Sequence, residues 1–217
     1  IYGFRRTTNA LEIIDTPFTY VLSKSYRIGQ EIATLSSEIL SKRYNTDVNI
    51  TGVNVSKLSS KYDVSENSKK YYIARKTITL LIEAKSLMEK GLSFNFIGGI
   101  ETYGVKNALN LLKWGSIYYK GKKLTKSQIY EIFEETEDAE LGVLISIERA
   151  FDSSEDLEEL IQSEVSEKCA DVVFTTAHRS KGLEWDTVFI LDDFNLIEIT
   201  HTMEQVYNED TKSYINK

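Results

Sequence analysis

Short apolar runs alternate with longer amphipathic stretches along most of the chain. The apolar runs predict strands at residues 18–22, 71–75, 94–97, 171–176 and 187–191. Apolar residues three and four positions apart predict helices over residues 29–42 and 78–88, and again from Val105 onwards. Because strands and helices alternate in this order, the pattern predicts an α/β fold with a parallel sheet flanked by helices.

Two regions depart from this alternation. Residues 46–70 are polar and rich in serine and lysine, which predicts a loop. Residues 101–168 are mostly helical in pattern and become strongly acidic, which predicts a helical insertion between the two halves of the sheet. The predicted α/β domain therefore comprises residues 1–100 and 169–195.

Composition narrows the class of protein. The 217 residues are 41% hydrophobic and 27% charged, as in ordinary globular domains. No apolar run approaches the roughly 20 residues of a membrane span, so no membrane partner is expected. The single cysteine, Cys169, excludes an internal disulfide and fits a reducing compartment. The sequence starts at Ile1 without an initiator methionine, and we expect it to be part of something longer.

The net charge of −7 by itself argues against a nucleic-acid partner, because phosphate contacts need lysine and arginine. The charge is unevenly distributed, however. Residues 1–90 carry most of the Lys and Arg, whereas residues 131–167 are strongly acidic. A basic face can therefore coexist with an acidic segment, and the average charge does not decide the partner.

Several patterns that often carry chemistry are incomplete. The stretch GSIYYKGKK at 115–123 has five residues between its glycines and a lysine where a P-loop needs Ser or Thr, so it predicts a basic β-turn. Asp192 and Asp193 could end the magnesium-binding strand of an NTPase. Alternatively, they could end a buried strand, where they reach solvent or cap the next segment. The two histidines are 23 positions apart and no Gly-x-Ser-x-Gly elbow is present, so neither a zinc site nor a serine hydrolase is expected.

The stretch TTAHRSKGLEWDTVFILDD at 175–193 is the strongest candidate for a binding site. Thr176 and His178 lie at the carboxyl end of a predicted strand, where open α/β sheets bind ligands. The following Arg-Ser-Lys-Gly at 179–182 combines backbone amides, a hydroxyl and cations, which suit phosphate oxygens. Glu184 is a suitable acceptor for a hydroxyl such as that of a ribose. From the residue types alone, an alternative interpretation is a polar loop that binds no ligand.

Four stretches resemble superfamily 1 helicases of the UvrD/Rep class, and they follow one another along the chain in the order that the class has. TTAHRSKGLEWDTVFI resembles motif V, IYGFRRTTNAL at the start resembles the end of motif III, and LSKSYRIGQEIA resembles motif IV. FIGGIETYGVKNALNLLKW at 96–114 resembles the segment that begins the inserted subdomain of that class. Within the class, the residues of these stretches are most similar to those of the F-box DNA helicases. The resemblance extends over residues 1–194.

The resemblance implies the second RecA-like motor domain of a 3′-to-5′ DNA helicase that acts in recombination and repair in the nucleus. Its implied partners are single-stranded DNA, ATP with Mg²⁺, and the first RecA-like domain, which would hold most of the magnesium site. A protein partner at the acidic insertion is a further expectation. Residues 196–217 depart from the class and form a divergent tail.

The resemblance also implies roles for individual residues. Tyr2 and Phe4 would stack on bases, with core packing as the alternative for both. Arg5 would face the ATP site. Tyr26 would stack on the adenine, and Arg27 would reach the γ-phosphate unless it is simply a surface arginine. The implied catalytic residues are thus Arg5 and Arg27.

Motif V would contact both ligands. Gly182 and Glu184 would lie at the nucleotide, with Glu184 on the ribose. The other implied DNA contacts are Gly98, Gly99, Thr176, His178, Arg179 and Lys181. No metal-ligating residue is implied in this chain.

The sequence departs from the class in three places. It has no P-loop, Arg6-Thr7 replaces the usual Gly-Ala, and no arginine follows Arg179, although motif VI should supply one. We therefore expect a fragment, an incomplete gene model or a decayed copy. Its function would be that of a helicase part, or that of a non-catalytic remnant that binds single-stranded DNA or a protein; a helicase–nuclease subunit is a weaker third interpretation.

These departures predict that the purified chain does not hydrolyse ATP by itself, because half of the ATP site and the second γ-phosphate arginine are missing. Phosphate release should stay at the level of a no-enzyme control with and without single-stranded DNA. DNA-stimulated turnover by the pure chain would contradict this prediction.

Overall fold

The computed structural model describes residues 22–44, 47, 49–55 and 69–194. By their contacts, these residues fall into two units, one containing residues 22–55 and the other residues 69–194. Tyr2, Phe4 and Arg5, and residues 18–21 of the first predicted strand, lie outside the described residues. Leu22, the last residue predicted for that strand, is not in a strand.

The first unit contains strand β1 (Lys24–Gly29), helix α1 (Gln30–Tyr44) and strand β2 (Thr51–Asn54). The strands pair in parallel, and α1 confirms the predicted helix over 29–42. The prediction of a loop throughout 46–70 was wrong at β2. This strand is short and mostly exposed, so it has no apolar alternation that sequence could show, and it is held by backbone pairing with β1.

The second unit begins with strand β3 (Lys70–Ala74), helix α2 (Thr77–Glu89) and strand β4 (Phe94–Phe96), and a 3-10 turn follows at Ile100–Tyr103. Next come helix α3 (Val105–Trp114), strands β5 (Ser116–Tyr119) and β6 (Lys122–Thr125), and helices α4 (Lys126–Thr136), α5 (Ala139–Ala150) and α6 (Ser154–Gln162). Strands β7 (Val172–Thr176) and β8 (Val188–Ile190) complete the unit.

A four-stranded parallel sheet with the order β4-β7-β3-β8 forms the centre of this unit. All four strands were predicted from the apolar runs, and the α/β class with a mostly parallel, helix-flanked sheet is confirmed. In the described residues no helix is both long enough and apolar enough to cross a bilayer.

The core follows the central strand. Every residue of β7 is buried, and Phe174 contacts Phe94 and Phe96 at ring-centroid distances of 6.3 and 5.2 Å. By contrast, β8 is not the buried strand that its apolar sequence suggested: Ile190 is 72% exposed. The reason is its position, because β8 lies at the edge of the sheet and pairs only with β3.

The segment between β4 and β7 confirms the predicted helices and the basic β-turn. Strands β5 and β6 form an antiparallel hairpin whose two turn residues, Lys120 and Gly121, both have positive φ (48° and 81°), as in type I′ turns. One hydrophobic cluster extends from the sheet into these helices and includes Ile129 and Leu157. The division at residues 101 and 168 stays a prediction.

Asp138 connects three elements of this segment. Its Oδ1 accepts hydrogen bonds from the backbone amides of Glu140 and Leu141 and caps α5. Its Oδ2 accepts from the Tyr119 hydroxyl and the Lys120 ammonium, both at 2.9 Å. The hydrogen bond from Lys120 is the largest cause that lowers the Asp138 pKa from 3.8 to about 2.

Replacing Asp138 should therefore destabilise the chain in a pH-dependent way. Asp138→Ala removes the cap and should cost about 1 kcal/mol in free energy of unfolding at neutral pH. Asp138→Asn keeps an acceptor for the α5 amides but loses the charge. The pKa of Asp138 is lower in the folded state than in the unfolded state. The wild type should therefore have a higher free energy of unfolding than Asp138→Asn above pH 3.8, and this difference should disappear as the pH falls towards about 2.

Urea unfolding followed by circular dichroism across this acidic range measures the difference. A gap between wild type and Asp138→Asn that does not narrow on acidification would show that this carboxylate is not the titrating group.

Candidate functional site

The loop between β7 and β8, residues 177–187, carries most of the motif V side chains at the carboxyl end of the sheet. Its start is fixed by backbone bonds: Ala177 donates to the Ala74 carbonyl, and the amides of Arg179 and Ser180 both donate to the Thr176 carbonyl, all at 2.9 Å. Thr176 itself is buried. The next side chains face outward, and His178, Arg179, Lys181 and Glu184 are exposed.

Arg179 links this loop to the 3-10 turn. Its Nη1 donates to the Thr102 hydroxyl at 2.7 Å and its Nη2 donates to the Thr102 carbonyl at 2.6 Å. The guanidinium carbon lies 4.2 Å from the centroid of the Tyr103 ring, a cation–π distance. The predicted DNA contact Arg179 therefore has a structural role as well, for which the planar, fixed fork of arginine is suited.

Gly98 and Gly99 form the turn that the resemblance placed at the DNA. Both have φ of 83°, a conformation that side-chain-bearing residues rarely adopt, and a Cβ on Gly98 would lie 3.5 Å from Nη1 of Arg179. The Tyr103 hydroxyl donates to the Ile97 carbonyl at 3.1 Å. Burial raises the pKa of this phenol, so it remains a neutral donor at physiological pH.

Glu164, just beyond α6, also holds this turn. Its Oε1 accepts from the amide of Phe96 at 2.8 Å, and its Oε2 accepts from the amide of Ile100 at 3.0 Å. Sequence reasoning missed Glu164, Thr102 and Tyr103. The last two lie inside the quoted FIGGIETYG stretch, whereas Glu164 has no local signal because its partners are 64 and 68 positions away.

A cavity of about 270 Å³ adjoins the loop. Its lining includes Thr176 and Arg179 from the motif V segment and Thr102, Tyr103 and Asn107 from the turn and α3. The structure thus brings Gly98, Thr176 and Arg179 into one neighbourhood at the carboxyl end of β7.

The predicted nucleotide-binding residues of motif V lie further along the loop, outside the cavity lining. Gly182 has φ of 88°, and nothing lies within 4 Å of the position of an added Cβ, so close approach of a ligand to its backbone is sterically open. Glu184 is exposed. In the other unit, Tyr26 and Arg27 follow one another on β1; the Tyr26 ring is 73% exposed, and the Lys24 Nζ lies 5.9 Å from its centroid.

Asp193, just after β8, has a structural role. Its carboxylate accepts hydrogen bonds from the backbone amides of Arg75 and Lys76, both at 2.7 Å, and so ties the end of β8 to the residues that lead from β3 into α2. These partners precede Asp193 in the chain, so this contact is not the predicted cap of the next segment. Across the part of the chain that the structure describes, no group of three or more His, Cys, Asp and Glu side chains could hold a metal ion.

Comparison with known proteins shows a similarity to a DNA helicase. The chain is 28% identical to F-box DNA helicase 1 of Gallus gallus over 221 aligned positions, which cover 89% of this chain and 21% of that protein. The chain thus spans about a fifth of the length of this relative. No family model and no solved structure matches the chain. The similarity indicates a helicase-like relationship, and the UvrD/Rep class within it stays a prediction.

The Glu164 contacts generate a prediction about the glycine turn. Glu164→Ala should lower the free energy of unfolding by roughly 1–3 kcal/mol, because it leaves the amides of Phe96 and Ile100 without their acceptor. Glu164→Gln keeps one of the two acceptor oxygens, so it should lower the free energy of unfolding by less than Glu164→Ala does. Urea unfolding measures the free energy, and amide hydrogen exchange at Phe96 and Ile100 reports the local effect.

Glu159→Ala is the matched control, since it removes one negative charge from an exposed position on α6. Equal unfolding midpoints for Glu164→Ala and Glu159→Ala would contradict the role given to Glu164.

Proposed function

We propose that this chain is part of an ATP-driven DNA helicase of the UvrD/Rep class, in which the loop 177–187 contacts the backbone of single-stranded DNA. The observation that carries the proposal is the bidentate link from Arg179 to Thr102, which joins an exposed basic loop to the Gly98-Gly99 turn. The similarity to the chicken F-box DNA helicase supports it.

The side chains of the loop are suited to binding DNA independently of its base sequence. His178 and Lys181 are exposed cationic or hydrogen-bonding groups, and phosphate contacts of this kind do not depend on base identity. The positive-φ glycines keep the neighbouring turn free of side chains, so a nucleic-acid backbone can approach it closely. Thr176 and His178 would contact this backbone, and Lys181 could serve phosphate of either ligand.

For the nucleotide, we propose the roles that the resemblance implies. Gly182 and Glu184 would lie at ATP, with Glu184 on the ribose, and an exposed Tyr26 ring fits stacking on the adenine. Arg27 would neutralise charge at the γ-phosphate, together with Arg5. Magnesium and the P-loop would come from the first RecA-like domain, and Tyr2 and Phe4 would stack on bases.

The motif V loop offers a route for coupling in this proposal. Its DNA-facing and nucleotide-facing residues lie within the nine positions 176–184, and the same segment is bonded to the sheet at its start. A change in the nucleotide contacts would then alter the DNA contacts through one short segment. The proposed setting is 3′-to-5′ translocation in nuclear recombination and repair, with a protein partner at the acidic insertion.

A second candidate function is DNA binding without ATP hydrolysis. It is favoured by the residues that follow motif V, because no arginine occurs between Arg179 and Lys217, where motif VI of the class would supply one. In that case the chain would be a helicase-like module that holds single-stranded DNA or a protein.

Binding of single-stranded DNA tests the proposal. Fluorescence anisotropy with a labelled oligothymidylate should show binding that weakens steeply with salt, because phosphate contacts release counterions. His178→Ala with Lys181→Gln should weaken binding about tenfold, the loss expected when roughly 1.4 kcal/mol of phosphate contacts is removed. These changes leave the Arg179 link to Thr102 in place.

Lys168→Gln is the control, because it removes the same positive charge from an exposed turn outside the loop. Equal affinities for the loop variant and the control, or no binding even at low salt, would contradict the proposed contact.

A further inference from the structure

The β5–β6 hairpin and its flanks carry a charge opposite to that of the chain. Residues 113–126, KWGSIYYKGKKLTK, contain five lysines and no acidic residue, in a chain of net charge −7. We refer to residues 113–126 as the lysine hairpin. It lies within the segment whose helices α4 to α6 are rich in glutamate and aspartate.

The hairpin has a buried face and an exposed face. Ile117 pairs with Leu124, and both are buried against the core, whereas Tyr118 pairs with Lys123, and both are exposed. Side chains alternate between the faces of a strand, so the outward positions are set by the packing of the inward ones. The aromatic–lysine pair is therefore displayed to solvent by the fold itself.

Two large aromatic rings are unusually exposed here. Trp114 is 75% exposed and Tyr118 is 76% exposed. Among the described residues, neither ring has a stacking or cation–π partner. Exposed aromatic rings are suited to stacking on unpaired bases, because every base offers a π-face.

The lysines divide into two groups. Lys113, Lys120 and Lys126 are ion-paired with Glu158, Asp138 and Glu148. Lys122 and Lys123 are exposed and have no ion-pair partner in the described part of the chain. Three lysines thus attach the hairpin to the acidic helices, and the other two remain available for a ligand.

We propose that the lysine hairpin is a second contact for single-stranded DNA, separate from the loop 177–187. Trp114 and Tyr118 stack on unpaired bases. Lys123 contacts a phosphate on the face of Tyr118, and Lys122, which is exposed next to the hairpin turn, contacts a flanking phosphate. A protein partner fits less well, because lysine is depleted at protein interfaces. The acidic helices around the hairpin repel DNA, so the contact is confined to the hairpin. This inference rests on the proposed function and assigns DNA binding to the inserted segment.

The two tryptophans of the chain permit a direct test. Trp185 stacks on Tyr71 at 4.6 Å, and Trp185→Phe keeps a ring there while leaving Trp114 as the sole tryptophan. In this variant, an oligothymidylate should quench Trp114 fluorescence in a saturable way, with the affinity seen by anisotropy. A blunt duplex of equal length should quench much less. Duplex quenching equal to that by the single strand would overturn the assignment to unpaired bases.

Charge variants test the phosphate contacts. In the Trp185→Phe background, Lys122→Gln with Lys123→Gln should lower affinity and reduce the slope of log affinity against log salt by about 1.4, the value for two single-strand phosphate contacts. Lys90→Gln with Lys168→Gln removes the same two charges from exposed positions elsewhere and should leave both quantities unchanged. Equal effects of the two pairs would overturn the role of Lys122 and Lys123.

The loop variant His178→Ala with Lys181→Gln separates this inference from the proposed function. DNA binding by anisotropy without Trp114 quenching overturns the hairpin contact and leaves the loop contact standing. Trp114 quenching that the loop variant does not weaken supports the hairpin and counts against the loop. No binding by either readout overturns both.

Discussion

The complete burial of β7 is the constraint on which the second unit depends. The strand is enclosed by β4 and β3 within the sheet, and all five of its residues are buried. A strand in this position cannot carry charge, since an unpaired buried charge is costly, so polar chemistry is confined to the end of the strand. Backbone bonds that continue past β7, from Ile97 to Phe174 and from Ala177 to Ala74, fix where the turn and the loop begin.

Two side chains from different segments of the chain then hold the glycine turn. Arg179 reaches it from the loop after β7, and Glu164 reaches it from the end of the helical segment. The turn needs such support because its positive-φ residues contribute no side chains to packing. The guanidinium of Arg179 and the carboxylate of Glu164 both hydrogen-bond to backbone or hydroxyl groups of the turn and its neighbours. These charged contacts fix the position of a turn that has no apolar side chains of its own with which to pack.

The elements that sequence predicted correctly are those with a clear apolar pattern. Strands β3, β4 and β7 are short apolar runs, and helices α1 to α3 carry apolar residues three and four positions apart. Strand β2 was missed because it is short and mostly exposed, and its pairing with β1 leaves no apolar pattern in the sequence. At the candidate site, the motif predicted Arg179, and its role at DNA stays a prediction. Its partner Thr102 and the carboxylate of Glu164 depend on contacts between distant positions. A single sequence contains no signal for those contacts.

The order of the strands in the sheet has a consequence for how the chain becomes folded. β3 and β4 are complete at Phe96, yet they do not pair with each other, and both pair with β7, which begins only at Val172. Long-range pairing of this kind forms slowly, because a large loop must close first. During synthesis, the whole helical segment leaves the ribosome before the central strand does. Until β7 is made, neither β3 nor β4 has its central partner, so the unpaired backbone groups of both strands need protection from other contacts.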